Sequence, residues 1–286
     1  MGTADLWLIV EGREHDRPHY ERLFESLPET RDLRVTIRLA EQIDIDHVVA
    51  GGKDHALALH DYWQMSGELK QSNRAGFRRI AFALDRDRDD FVGCMRSTPN
   101  VMYTLGVDVE CDILNEGDLW RALKSAYGVT REHCEAIMSS VGDPRDALRE
   151  TWNEWIALGL LATAIDSSFQ PRFGQHSQVN IDVWGSTDPS AASKLRRQLL
   201  ASSTPSDRRA LESRVEAHMN SRGRELLKGR WIARYIWELV RRLLGTQIIR
   251  ANVQFDTVVS TALETIDYSE RWTDPYSQKA RDLFAA

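Results

Sequence analysis

The stretch IAFALDRDRDDF, residues 80–91, runs five consecutive apolar residues straight into four acids and two arginines. A short uninterrupted apolar run reads as a strand buried on both faces, the kind found in a mainly parallel sheet covered by helices. The abrupt switch at Asp85 puts charge at the carboxyl end of that strand. In an open α/β sheet this is the edge where ligands bind.

The rest of the first half agrees with such a sheet. LWLIV (6–10) is a second short apolar run and ends at Glu11-Gly12. HYERLFESL (19–27) has helical spacing at Tyr20, Leu23, Phe24 and Leu27, with Asp16 as the expected N-cap and Pro18 in the first turn. LRVTIRLA (33–40) alternates with the period of a strand, and DHALALHDYWQM (54–65) again has helical spacing. VMYTL (101–105) is a further strand, and a helical region opens over 113–128. Strands alternating with helices predict an α/β layer. Beyond residue 129 the periodicity is helical, interrupted by a Gly/Ser/Asp/Pro-rich stretch expected to be a long loop (167–191). The expected organisation is an α/β domain over 1–128 and a helical C-terminal domain over 129–286.

Composition narrows the function classes. The chain has 286 residues and a net charge of −6, so a nucleic-acid site has to be a local patch. Cys94, Cys111 and Cys134 form no CxxC pair, which argues against a zinc ribbon or a disulfide frame and fits a reducing compartment. MGTADLWLIVEG has no basic leader region, and WIALGLLATAI (155–165) is too short to cross a bilayer. A cytoplasmic protein with no membrane partner is expected. No Walker A motif is present, so any ATP hydrolysis has to come from another chain.

Asp85 and Asp87 follow the strand end with one residue between them, and in extended chain such a pair projects to one side. Two close carboxylates repel unless a cation neutralises them, and hard oxygen donors suit Mg²⁺ or Mn²⁺. The alternative is a solvated loop in which Arg86 and Arg88 pair with the acids. Glu11, at the end of the first strand, adds a candidate general base or acid, and Gly12 leaves room for a phosphate or backbone to approach.

One glutamate after the first strand plus DxD after a later one resembles the TOPRIM domain of topoisomerases, primases and OLD-type nucleases. VEG-x3-D at Glu11 to Asp16, followed by Tyr20-Glu21-Arg22-Leu23, looks like the opening of a TOPRIM-like family of unknown-function domains. GGKDHALAL (51–59), ALDRDRDDF (83–91) and VDVECDIL (107–114) are similar to that family's later segments, and SRGRELLKGRW (221–231) to another. The main match covers about 105 N-terminal residues. The VEG-to-Asp spacing is one residue long, so His15 stands where the family usually has its acid, and Pro18 and His19 occupy its aromatic's neighbourhood. The resemblance implies a metal-dependent nuclease, the effector of a PARIS-type anti-phage system paired with an ABC-type ATPase. It implies Glu11 as general acid/base or metal ligand, Asp85 and Asp87 as metal ligands, Asp89 as a support through water, and Glu110 as a possible second-site carboxylate. Lys53 would neutralise the scissile phosphate or leaving group. The substrate would be DNA or RNA, tRNA included, and a homo-oligomer is compatible with it. A non-catalytic sensor or partner subunit of an ATPase complex is the second class. A DxD nucleotide-sugar transferase is the third, but it leaves Glu11-Gly12 unexplained.

Two further features need placing. Between Arg222 and Arg250 lie eight Lys/Arg and two Glu, a local charge of +6. Arg230, Arg234, Arg241 and Arg242 are expected to form a nucleic-acid or partner surface, with Trp231, Tyr235 and Leu239 packed inward. The histidines at 15, 19, 47, 55 and 60 show no zinc spacing and read as ordinary histidines, His15 beside Glu11 being the one worth testing.

Overall fold

The computed structural model describes residues 3–12, 14–43, 52–73, 76–165, 187–201, 203–245 and 253–285. His47 and most of the expected long loop lie outside them. The chain is α/β, with a mainly parallel five-stranded sheet in its N-terminal half. The chain divides into two compact units, Met1–Arg86 with Arg96–Gly117 and Leu263–Ala286, and Asp87–Met95 with Asp118–Ala262.

The first unit is built on β1 (Thr3–Val10), β2 (Arg34–Leu39), β3 (Lys70–Asn73), β4 (Gly76–Leu84) and β5 (Val101–Tyr103). The order is β2-β1-β4-β3, with β5 also paired to β4. β1 is parallel to both β2 and β4, and Val10 lies beside Leu39 and Ala83. β5 is parallel to β4, whereas β3 forms an antiparallel pair with it. The strands read from apolar runs are all present. β3, KQSN, is additional: it is a polar edge strand with no apolar alternation to announce it. Residues Arg79–Leu84 of β4 are all buried, as a central strand requires.

Helix α1 (Asp16–Ser26) buries His19, Tyr20, Leu23 and Phe24, and α2 (Gly52–Ser66) buries His55, Ala56, Leu59 and His60. These two α2 histidines are structural: His60 packs edge-on against Phe82 at 5.4 Å, and His55 Nε2 is 2.9 Å from the carbonyl of Ile43. The helical region expected over 113–128 is two helices. After α3 (Asp89–Val92), α4 (Val109–Glu116) ends at Gly117 and α5 (Leu119–Tyr127) starts behind an Asp118 cap.

In the second unit α3 and α5 are joined by α6 (Arg131–Val141), α7 (Pro144–Thr151), α8 (Asn153–Ala164), α9 (Pro189–Leu199), α10 (Pro205–Arg222), α11 (Gly229–Leu244) and α12 (Thr257–Leu263). Thr130, Asp143, Asp188 and Thr204 each cap a helix by accepting a backbone N–H. Trp155–Ala162 of α8 are buried throughout, so WIALGLLATAI is a core helix apolar on all sides.

These units cross the boundary expected at 128/129. The last helix, α13 (Asp274–Ala285), belongs to the sheet unit, where Tyr276 donates its buried hydroxyl to Asp112 Oδ2 at 3.1 Å. Residues 87–95 belong to the helical unit. Helical periodicity says that a segment packs, not against which core, so neither reassignment was visible in the pattern.

Candidate active site

The parallel pairing of β1 with β4 in register brings their carboxyl ends side by side. Glu11 follows the first and Asp85 the second. The Asp85 backbone N–H donates to Glu11 Oε2 at 3.4 Å, and Asp85 Oδ1 accepts the backbone N–H of Val109 at 3.2 Å. Asp85 thus lies at the N-terminus of α4, where the helix dipole favours negative charge. Asp108 caps the same helix by accepting the Cys111 N–H at 2.8 Å. An aspartate before an amphipathic run is the sequence signal for this cap.

Gly52 opens α2 with φ +58°, and a Cβ there would come within 3.5 Å of Glu11 Oε1. The first turn of α2 therefore borders Glu11. Lys53 is the next residue along and is half-buried.

Gly12 is needed for another reason than the one expected. A Cβ on it would meet Asp16 Oδ1 at 2.6 Å, because the Gly12 N–H donates to Asp16 Oδ2 at 2.7 Å. The close approach is made by the chain's own carboxylate. Asp16 is also not the N-cap of α1; His15 holds that position without a side-chain cap bond. Burial pushes the Asp16 carboxyl up to about 6 against the pull of the Gly12 N–H.

His15 is buried, and its Nδ1 lies 3.3 Å from Glu110 Oε1 in the first turn of α4. Burial alone would lower the imidazole pKa, but the hydrogen bond and charge of Glu110 outweigh it and the net shift is upward. Glu110 is thus placed at the edge of this region, paired with a histidine.

Asp112 was not anticipated. It is fully enclosed and accepts the N–H groups of Leu105 at 2.9 Å and Gly106 at 2.5 Å, besides the Tyr276 hydroxyl. Burial pushes its carboxyl up to about 6 although all three donors favour the ionised form. It ties α4 to the loop after β5, and no spacing rule marks it.

Asp87 and Asp89 fall in the helical unit. The extended geometry expected for the Asp85–Asp87 pair is not what the chain adopts. Asp87 takes a left-handed conformation, φ +50°, which aspartate tolerates better than most residues. Its Oδ1 lies 3.4 Å from Lys228 Nζ. Asp90 faces Arg222 Nε at 3.3 Å and accepts the Phe91 N–H at 2.8 Å. Asp89 opens the one-turn helix α3. Arg88 is half-buried and donates to Thr163 Oγ1 at 2.8 Å. Cations distant in the chain, from residues 222 and 228, thus meet Asp90 and Asp87.

The basic helix α11 buries Trp231, Tyr235 and Leu239, as its periodicity predicted. Arg234 pairs with Glu238 at 2.7 Å, and Arg241 approaches the same carboxylate at 3.8 Å. Arg230 and Arg242 are exposed. Much of the local charge is therefore met within the helical unit, and Arg250 lies outside the described residues.

Among the described residues no group of three or more His, Cys, Asp or Glu side chains is arranged to hold a metal ion. Mg²⁺, however, commonly takes only one or two carboxylates and completes its shell with water and substrate phosphate oxygens. The pair Glu11 and Asp85 has that donor chemistry.

No described helix is long and apolar enough to cross a membrane. In comparisons with known proteins, no family model and no curated protein matches the chain.

Proposed function

We propose that the chain is a divalent-metal-dependent phosphodiester hydrolase of TOPRIM type, acting on DNA or RNA. Its biological place would be as the effector of a bacterial anti-phage system, in the cytoplasm and with an ABC-type ATPase partner. The observation that carries the catalytic reading is the meeting of Glu11 and Asp85 at the ends of two adjacent parallel strands. That is where open α/β sheets bind ligands.

Glu11 and Asp85 would hold Mg²⁺ or Mn²⁺. When bound, such an ion stabilises charge on a phosphoryl group and lowers the pKa of bound water. The protein's own contribution is positional. Val109 N–H orients the Asp85 carboxylate, and α2 brings its first turn, with Lys53, beside Glu11. Glu11 would take the proton of the attacking water. Glu110 is assigned to His15 in this reading.

The test is a Mn²⁺ titration by calorimetry on wild type, Glu11→Gln and Asp85→Asn, followed by incubation of each with DNA and tRNA. Metal binding and cleavage in the wild type, both lost in folded variants, is the expected result. Absence of binding at saturating Mn²⁺ removes the reading.

A second reading, a non-catalytic TOPRIM-like subunit of an ATPase complex, draws on two observations. No three-ligand group is formed among the described residues, and the second aspartate of the DxD motif faces Lys228. A chain that binds its partner but cleaves nothing with either metal would favour it.

A further inference from the structure

Parallel sheets are normally covered on both faces by apolar contacts. Along the middle of β1 the cover is different. Trp7, half-buried, lies between Thr36 of β2 and Ile80 of β4 in the sheet register. The guanidinium of Arg78 stands 4.0 Å from the centroid of its ring and that of Arg38 stands 5.1 Å away. Arg34 lies two residues before Thr36 on the edge strand β2, so it shares this face, and both Arg34 and Arg38 are exposed. Asp5, beside Arg34 and Arg78 in register, is the acid on the same face. Among the described residues of β1, β2 and β4, three arginines against one aspartate make this face positive on a chain whose net charge is −6.

An arginine held over an indole ring loses less side-chain freedom on binding than a free one, and Arg78 Nη1 also donates to Gln71 Oε1 at 3.5 Å. Guanidinium groups fixed side by side on a flat strand face suit a row of phosphates. We propose that this face, formed by Trp7, Arg34, Arg38 and Arg78, docks the phosphate backbone of a nucleic acid. The inference rests on the nucleic-acid reading above. It concerns the face of β1 between Asp5 and Ile9, ahead of Glu11 in the chain, so the surface would hold the strand that leads to the reacting phosphate.

Binding of fluorescent single-stranded and duplex oligonucleotides is measured by polarisation across a salt series, in EDTA so that nothing is cleaved. The full-length wild type, Arg38→Ala with Arg78→Ala, and Arg34→Ala are compared, with polyglutamate as competitor. The double variant is expected to bind at least about tenfold more weakly at low salt. Its log–log salt slope should flatten by the equivalent of about two phosphate contacts, and that of Arg34→Ala by about one. Should the double variant fail to fold, Arg34→Ala, whose side chain is exposed, decides alone. Unchanged affinity and slope in the folded variants, or polyglutamate competing as well as the oligonucleotides, overturns the surface. Those results leave the metal titration at Glu11 and Asp85 untouched, so the two readings fail separately.

Discussion

The sheet unit and the helical unit hold their carboxylates in different ways. In the sheet unit the donors are mostly backbone amides. Glu11 meets the Asp85 N–H, Asp85 meets that of Val109, Asp16 that of Gly12, and Asp112 those of Leu105 and Gly106. In the helical unit several carboxylates meet cations as well as backbone amides. Asp87 faces Lys228, Asp90 faces Arg222, and Asp143 is bridged by Arg145 at 2.5 Å. Arg196 spans Glu154 and Glu212. An amide dipole orients a carboxylate but leaves its charge in place, whereas a guanidinium or ammonium neutralises it. Glu11 and Asp85 meet donors of the first kind, and Asp87 meets one of the second.

The comparison can be broken most forcefully at Asp112. Asp112→Ala strands two backbone N–H groups and the Tyr276 hydroxyl in a buried space. A loss of about 3 kcal/mol is expected, from the cost of unsatisfied buried donors, read as a lower urea midpoint. A loss below about 1 kcal/mol, the level of an ordinary surface change, would show that the amide cradle is not structural.

The pH response of the sheet unit comes next. Burial holds the His19 imidazole at about 3, far below its ordinary 6.5, with Tyr268 hydroxyl 3.1 Å from its Nδ1. The folded state keeps this ring neutral while the unfolded chain protonates it below about pH 6.5. The stability it contributes is therefore complete above that value and lost progressively as the pH falls toward 3. One proton is worth about 1.4 kcal/mol per pH unit, so about 2 kcal/mol should go between pH 6.5 and 5. His19→Phe keeps the ring contacts and should flatten this limb relative to wild type. Parallel curves for the two proteins would remove His19 from the pH response.

The metal test sharpens the contrast itself. Glu11→Gln should weaken Mn²⁺ binding by at least about tenfold, about 1.4 kcal/mol, whereas Asp87→Asn should change it by less than about threefold. Equal losses in both variants would show that pairing with Lys228 does not withdraw Asp87 from the site.

The smallest effect is expected from the helical unit's own pairs. Lys228 and Asp87 are 43% and 40% exposed, so Lys228→Ala should cost no more than about 0.5 kcal/mol and less at high salt. A cost above about 2 kcal/mol would mean that this loop is held far more firmly than an exposed ion pair allows.

Much of the sheet unit was legible in the sequence. Apolar runs at 6–10, 80–84 and 101–105, and the alternation at 33–40, each mark a strand, and the acids at 11 and 85 lie at strand ends. Burial on both faces leaves an unbroken apolar signature, and a strand end is where it stops. The polar strand Lys70–Asn73 left no such mark. At the candidate site, the residue types at Glu11 and Asp85 were readable because their chemistry follows local position in the chain. Asp112 was not, since its three donors come from Leu105, Gly106 and Tyr276, the last of them 164 residues away.

What the sequence determined by itself, then, is whatever depends on neighbours within a few residues: strand runs, helix faces, caps such as Asp118 and Thr204, and the placing of acids after strands. What only the tertiary structure decided is which groups answer those acids. Arg86 and Arg88 are adjacent to Asp85 and Asp87, yet Lys228 and Arg222 face Asp87 and Asp90, while Val109 N–H receives Asp85. Pairing of charges is settled by distance in space and by the desolvation each group has already undergone in the core. Neither quantity is written in the order of the residues.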